Sequence, residues 1–109
     1  MVIELMRISV PRGKKQEFAK ALECLVSPTR AQPGCVSCQL FQSWPRQNRL
    51  RIETRWESQE YLAHYLRSQA YKQLVLMVEL SAAPPIVEFF NVVEVRGLDL
   101  VEDVRTSSE

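Results

Sequence analysis

Arg49–Glu57, RLRIETRWE, constrains this chain more than any other stretch. Leu50, Ile52, Thr54 and Trp56 alternate with Arg49, Arg51, Glu53, Arg55 and Glu57. A period of two belongs to a β-strand with one face toward a core and one charged face. Ser58 then offers a hydroxyl to cap a helix. Glu60 places a carboxylate in the first turn, where the helix dipole favours it. The spacing predicts a helix over Gln59–Arg67, with Leu62 and Leu66 on one side and Tyr61 and Tyr65 near another edge. Trp56 stands at the turn of this junction, and His64, the only histidine, follows on the helix.

The flanking segments supply more strands and helices. Val2–Val10 reads as a first strand, with Ile3 and Leu5 on one face and Val2, Met6, Ile8 and Val10 on the other. Glu4, Arg7 and Ser9 are interspersed, and Pro11-Arg12-Gly13 ends it. Lys14–Ala31 reads as a helix with an apolar stripe of Phe18, Ala21, Leu22, Leu25 and Val26. Pro28 lacks a backbone donor and crowds the turn before it, which predicts a kink or break near Val26–Ser27. After Gln32-Pro33-Gly34, a second strand is expected over Cys35–Trp44. The polar loop Pro45–Asn48 makes it a hairpin with the third. Ser68 caps a further helix from Gln69 to about Glu79, with Tyr71, Leu74, Val75 and Val78 as its stripe. Ala82-Ala83-Pro84-Pro85 is a stiff connection to a fourth strand, Ile86–Val95. Leu98–Arg105 reads as a short helix docking on its own or a neighbouring subunit, followed by a frayed tail.

Strand, helix, strand, strand, helix, strand is the βαββαβ order of a ferredoxin-like α+β sandwich, with helices on one face of an antiparallel sheet. Several strands keep apolar residues on both faces, so the open face needs a cover. A second copy of the same sheet is the economical one, giving a homodimer through the open sheet face. The charges on the third strand predict a mixed interface in which Glu53 finds one of the arginines.

Totals exclude several classes. A chain of 109 residues can bury one core. With 14 basic and 13 acidic residues, the charge of +1 predicts no nucleic-acid partner and no membrane surface. No apolar run approaches the roughly 20 residues that cross a bilayer. Glu4 and Arg7 interrupt the N-terminal run and no basic segment precedes it, so no signal peptide is expected and a cytoplasmic location is. Cys35-x-x-Cys38 has the spacing of a redox or zinc half-site. On a regular strand, however, residues three apart face opposite sides, and one histidine is available to complete a site. No metal is expected, and both thiols read as small hydrophobes.

A first β-strand, Thr29–Cys35 (TRAQPGC), Thr54–Ser58 (TRWES), then His64 and Ser68 on the next helix form an ordered set. It resembles the antibiotic biosynthesis monooxygenase superfamily, including its quinol monooxygenase-like members. The resemblance implies a family domain over residues 1–95, with residues 96–109 as a C-terminal extension. It also implies a dimeric α+β barrel. Some members oxidise phenolic or quinol-type substrates with molecular oxygen and without metal or flavin. Others degrade haem, and some relatives isomerise small metabolites. Trp56 matches the aromatic residue at the end of the third strand, and His64 a histidine on the helix after it. Polyketide-modifying members place an Asn where Ile52 stands. Haem-degrading members use an Asn and a His where Arg7 and Leu66 stand, which disfavours haem degradation. Quinol-type members often carry a second His near the place of Ala70.

The expected site follows. The imidazole of His64 suits proton transfer, Tyr61 adds a phenol three residues before it, and Glu60, four residues before, can pair with it on the same face. Trp56, Asn91, Tyr65 and Ile52 are expected to contact a small aromatic substrate. A deprotonated, electron-rich ring reacts with oxygen unaided, so no cofactor is expected. The plainer alternatives are Trp56 as core and His64 as an ordinary polar residue. At the level of function they correspond to a non-catalytic small-molecule-binding dimer or an isomerase.

Overall fold

The alternating stretch forms β3 (Arg49–Trp56), and its inward residues Leu50, Ile52, Thr54 and Trp56 are all buried. The structure is a computed structural model and describes residues 1–44 and 48–107. It adds β1 (Val2–Ser9), α1 (Lys15–Arg30), β2 (Cys35–Gln42), α2 (Gln59–Leu66), α3 (Gln69–Val78), β4 (Ile86–Asn91) and α4 (Leu98–Ser107). The strands make one antiparallel sheet in the order β2-β3-β1-β4, which does not close on itself. This is the ferredoxin-like α+β fold that the element order predicts.

Residues paired across antiparallel strands share a face, so the register defines inward rows. One row is Leu40, Ile52, Met6 and Val87; the next is Cys38, Thr54, Glu4 and Phe89; the third is Cys35, Trp56, Val2 and Asn91. The main core packs Met6, Ile8, Val10, Leu50 and Ile52 with Phe18 and Leu22 of α1 and Leu74 and Val78 of α3. Val2, Trp56, Leu62, Tyr65 and Ala70 form a second cluster. Ser58 and Ser68 cap α2 and α3 as expected, accepting from the backbone N–H of Tyr61 and Tyr71.

Several local expectations change. The pair Cys35 and Cys38 does not face opposite sides. A β-bulge between Cys35 and Ser37 inserts Val36 as an extra residue, so both thiols point inward. α1 runs through Pro28 to Arg30 without a break. Pro28 sits in the last turn, where one missing donor disturbs little, and Ala31 N–H still reaches Ser27 O at 3.1 Å. β4 ends at Asn91, not Val95, because β1 offers partners only as far as Val2. Val92 N–H makes one more bond, to Met1 O at 2.8 Å. α4 continues past Arg105 to Ser107, and all its residues are exposed, so it does not dock on its own subunit. The loop expected at Pro45–Asn48 lies outside the described residues except for Asn48, whose carbonyl accepts from Val10 N–H at 2.7 Å. Residues 108–109 of the tail also lie outside them.

Gly34 fixes the turn into β2. Its φ of +75° is open to glycine, its carbonyl accepts from Glu57 N–H at 2.9 Å, and a Cβ there would overlap the Tyr61 ring. Gly13 has φ +79° but faces open space. Gly13→Ala should therefore cost only the left-handed penalty of about 1–2 kcal/mol. Gly34→Ala should cost clearly more, because α2 must also shift; urea unfolding of the two variants checks the difference.

Candidate functional site

The row that crosses the sheet through Glu4 contains the most unusual chemistry in the interior. Glu4 occupies an inward position of β1, between Val2 and Met6, and is 1% exposed. Trp56 Nε1 donates to Thr54 Oγ1 at 2.8 Å, and Thr54 Oγ1 donates to Glu4 Oε1 at 3.3 Å. From α3, Tyr71 Oη donates to Glu4 Oε2 at 2.8 Å. Both carboxyl oxygens thus accept, which suits the ionised form. Among the described residues no Lys or Arg forms an ion pair with Glu4. Burial pushes its pKa above the ordinary glutamate range, and the bonds from Tyr71 and Thr54 pull it partly back.

Aromatic rings wall this carboxylate. Tyr65 of α2 stacks on Trp56 with centroids 4.5 Å apart, and Tyr71 meets Tyr65 edge-on at 5.0 Å. Burial, reinforced by the charge of Glu4, drives both phenols well above the usual tyrosine range. Tyr65 is hydrogen-bonded to Thr29, whose hydroxyl donates to Leu25 O at 2.7 Å. Burial also raises Cys35, and pushes Cys38 up to about 11. Both thiols are therefore protonated near neutrality and weak nucleophiles.

Beside this cluster an apolar cleft of about 260 Å³ opens between α2 and β4. Val2, Gln59, Leu62, Leu66, Phe89 and Asn91 line it. Val2, Leu62 and Leu66 also pack in the Trp56–Tyr65 cluster, so cleft and cluster share a wall. A larger groove of about 480 Å³ between α1 and α3 is shallow and, of titratable groups, has only Glu17 in its lining.

The structure brings some expected residues together and separates others. Trp56 and Tyr65 stack, and Asn91 ends the Trp56 row at the cleft. Ile52 lies in the main core, away from the cleft lining. His64 is exposed, and so is Tyr61, which packs against Gly34. At 3.6 residues per turn His64 lies about 200° around α2 from Leu62, so it faces away from the cleft. The residue missed at the sequence level is Glu4. Its signal was its parity: it is in phase with Val2, Met6 and Ile8 on the face that must be buried. Among the described residues, no group of three or more His, Cys, Asp or Glu is placed to hold a metal ion. No helix there is long and apolar enough to cross a membrane.

The family model described as antibiotic biosynthesis monooxygenase matches residues 1–75. A curated relative, the uncharacterized protein sll1783 of Synechocystis sp., is 23% identical over 92 residues. The match covers 84% of this chain but 63% of that protein, so the chain spans under two thirds of its relative's length. Rv0793 of Mycobacterium tuberculosis superposes with a TM-score of 0.78 at 23% identity, covering 88% of this chain and 98% of that one. A candidate antibiotic biosynthesis monooxygenase from Nitrosomonas europaea also gives 0.78, at 17% identity, covering 86% and 100%. At such identities the structural likeness establishes the fold.

The pH dependence of stability tests the buried carboxylate. A folded-state pKa above the unfolded one means that the folded chain binds the proton more tightly. Stability from Glu4 is then fully present below the ordinary value of 4.5 and is lost as pH rises through the raised value. Unfolding free energies across this range should fall more steeply with pH in the wild type than in Glu4→Gln. The difference is at most about 1.4 kcal/mol per pH unit.

Proposed function

Because the chain belongs to the antibiotic biosynthesis monooxygenase family, we propose that it is a small cytoplasmic homodimer oxidising a quinol or another phenolic in the α2–β4 cleft. The observation that carries this is the shared wall: a small apolar cleft, edged by the Asn91 and Gln59 amides, backs onto the cluster of the Trp56–Tyr65 stack through Val2, Leu62 and Leu66. A small space with apolar walls and a few polar groups suits a single aromatic ring. The reaction needs molecular oxygen and balances without a cofactor. A hydroquinone and oxygen give a hydroxyquinone and water, the quinol supplying two electrons and the ring C–H that becomes C–OH two more.

The dimer completes the proposal. On the open face Arg7 pairs with Glu88, and Arg55 reaches Glu53 at 3.2 Å, the partner expected for that carboxylate. Arg51 lies over the Phe41 ring at 4.5 Å, and its Nε is buried without a hydrogen-bond acceptor among the described residues. Phe90 and Ile86 on the same face are exposed. A second sheet would cover these rings and offer Arg51 an acceptor, forming the α+β barrel. Sedimentation of the wild type should give a dimer; Phe90→Glu, which puts a charge on the covered face, should shift it to monomer.

A second reading is favoured by one observation: none of the residues lining the cleft is titratable. On that ground the protein would hold an aromatic ligand without converting it. Anaerobic titration with a panel of hydroquinones, followed by admission of isotopic oxygen, separates the two. Saturable binding and one labelled oxygen atom in the product support the monooxygenase; binding with no oxygen-dependent product leaves only the binding role. His64→Ala and Tyr61→Phe test the acid–base role proposed for the outer face of α2. A loss of turnover beyond about 100-fold supports it. Unchanged turnover, the outcome favoured by the orientation of α2, removes it.

A further inference from the structure

We propose that the outward face of the sheet ends in a binding site for a small organic anion, a carboxylate carried on an apolar body. This site is separate from the α2–β4 cleft and does not depend on the reading of that cleft. It is a pocket of about 250 Å³, lined by Arg7 and Ser9 of β1, Arg49 of β3, Ile86 of β4 and the connector residues Ala83 and Pro84. The register builds it. Arg7 stands opposite Ile86, and Ser9 opposite Arg49, so these four share the outward face. Ala82 N–H donates to Ser9 O at 2.8 Å, which ties the connector to β1. Pro84-Pro85 stiffens that connector, so the pocket exists before a ligand arrives.

Charge and donor chemistry select the ligand. The polar side chains of the lining are two guanidiniums and one hydroxyl, and the rest of the lining is apolar. Arg51 adds a third guanidinium, directly opposite Arg7 in the β1–β3 pairing, where like charges repel. Glu88 offsets one of the three through its pair with Arg7. Among the described residues Arg49 and Arg51 enter no ion pair. Two positive charges therefore stand unmatched at this end of the face, in a chain whose total is only +1. Arg7 meets Glu88 through Nη1, which leaves Nε and Nη2 as donors, and Arg49 offers its whole fork. A guanidinium fork receives a carboxylate through two parallel hydrogen bonds. Ile86, Ala83 and Pro84 then face whatever the carboxylate is attached to, a surface that a bare, fully hydrated ion would not use. The rival occupant is a carboxylate of the second copy proposed to cover this face.

Calorimetric titration of the full chain at low salt, where screening is weak, tests this. Cyclohexanecarboxylate is the apolar acid; it has no aromatic ring, which distinguishes this pocket from the cleft. Inorganic phosphate is the bare anion. Wild type should bind cyclohexanecarboxylate saturably and more tightly than phosphate. Arg49→Gln should weaken that binding at least about tenfold, the effect of one hydrogen bond to a charged group. Arg49 is exposed, so the fold does not rest on it. Lys20→Gln removes the same charge from an exposed position on α1, on the other side of the sheet, and should bind as wild type does. Equal affinity for phosphate, or equal weakening by Arg49→Gln and Lys20→Gln, overturns the proposal, because charge alone is then being felt. Absence of cyclohexanecarboxylate binding by wild type also overturns it. If Arg49→Gln then sediments as a monomer where wild type is a dimer, the occupant is the carboxylate of the second copy.

Discussion

The Thr54 hydroxyl joins the two halves of the interior. One oxygen accepts a hydrogen bond from the Trp56 indole N–H and donates one to Glu4. All three groups are buried, and a buried polar group left without a partner costs about 1–3 kcal/mol. The indole is thereby set in one orientation. Tyr65 stacks on it, and Tyr65 places α2. Leu62 and Leu66 of that helix then form one side of the cleft. A single hydroxyl thus links the strand pairing of β1 and β3 to the shape of a cleft whose lining it does not join.

How much was legible beforehand depended on how regular each element is. β3 reveals its period of two without exception, so its buried face and the helix after it follow from residue order. The element order then specifies the sheet. Glu4 was legible in principle, because its parity matches Val2 and Met6, but a lone carboxylate in an apolar strand reads as an interruption until its partners are known. Those partners, Thr54 and Tyr71, are 50 and 67 residues away, a separation that no local pattern encodes. The bulge at Val36 was invisible for a related reason. It breaks the alternation by one residue, and only the partner strand shows which residue is extra. Helix position decided the rest: a histidine two residues from a cleft-lining leucine stands on the far side of the helix.

The two faces of the sheet divide the work by chemistry. The inward face carries one carboxylate among aromatic rings and protonated thiols. The outward face carries arginines, one with its guanidinium over the Phe41 ring and two matched by Glu53 and Glu88. The sheet and helices that carry these faces have the fold shared with the Mycobacterium tuberculosis and Nitrosomonas europaea proteins. Two features of this chain lie outside that division, the buried charge of Glu4 and the exposed amphipathic α4. Leu98, Val101 and Val104 of that helix remain open to solvent, and Arg96 at its start is held by Asp99 and Asp103 at 2.7 Å each.

The position of β1 in the middle of the sheet has a consequence for how the chain comes together. Its neighbours lie far along the sequence, Val2 opposite both Trp56 and Asn91. Pairings of such separation place the domain among slower folders, because long loops must close before the contacts repay them. On the ribosome β1 emerges first and gains its last neighbour only when β4 arrives. In the unfolded chain Glu4 is hydrated, and the water it loses when Thr54 of β3 and Tyr71 of α3 close over it is a cost that the rest of the interior must offset.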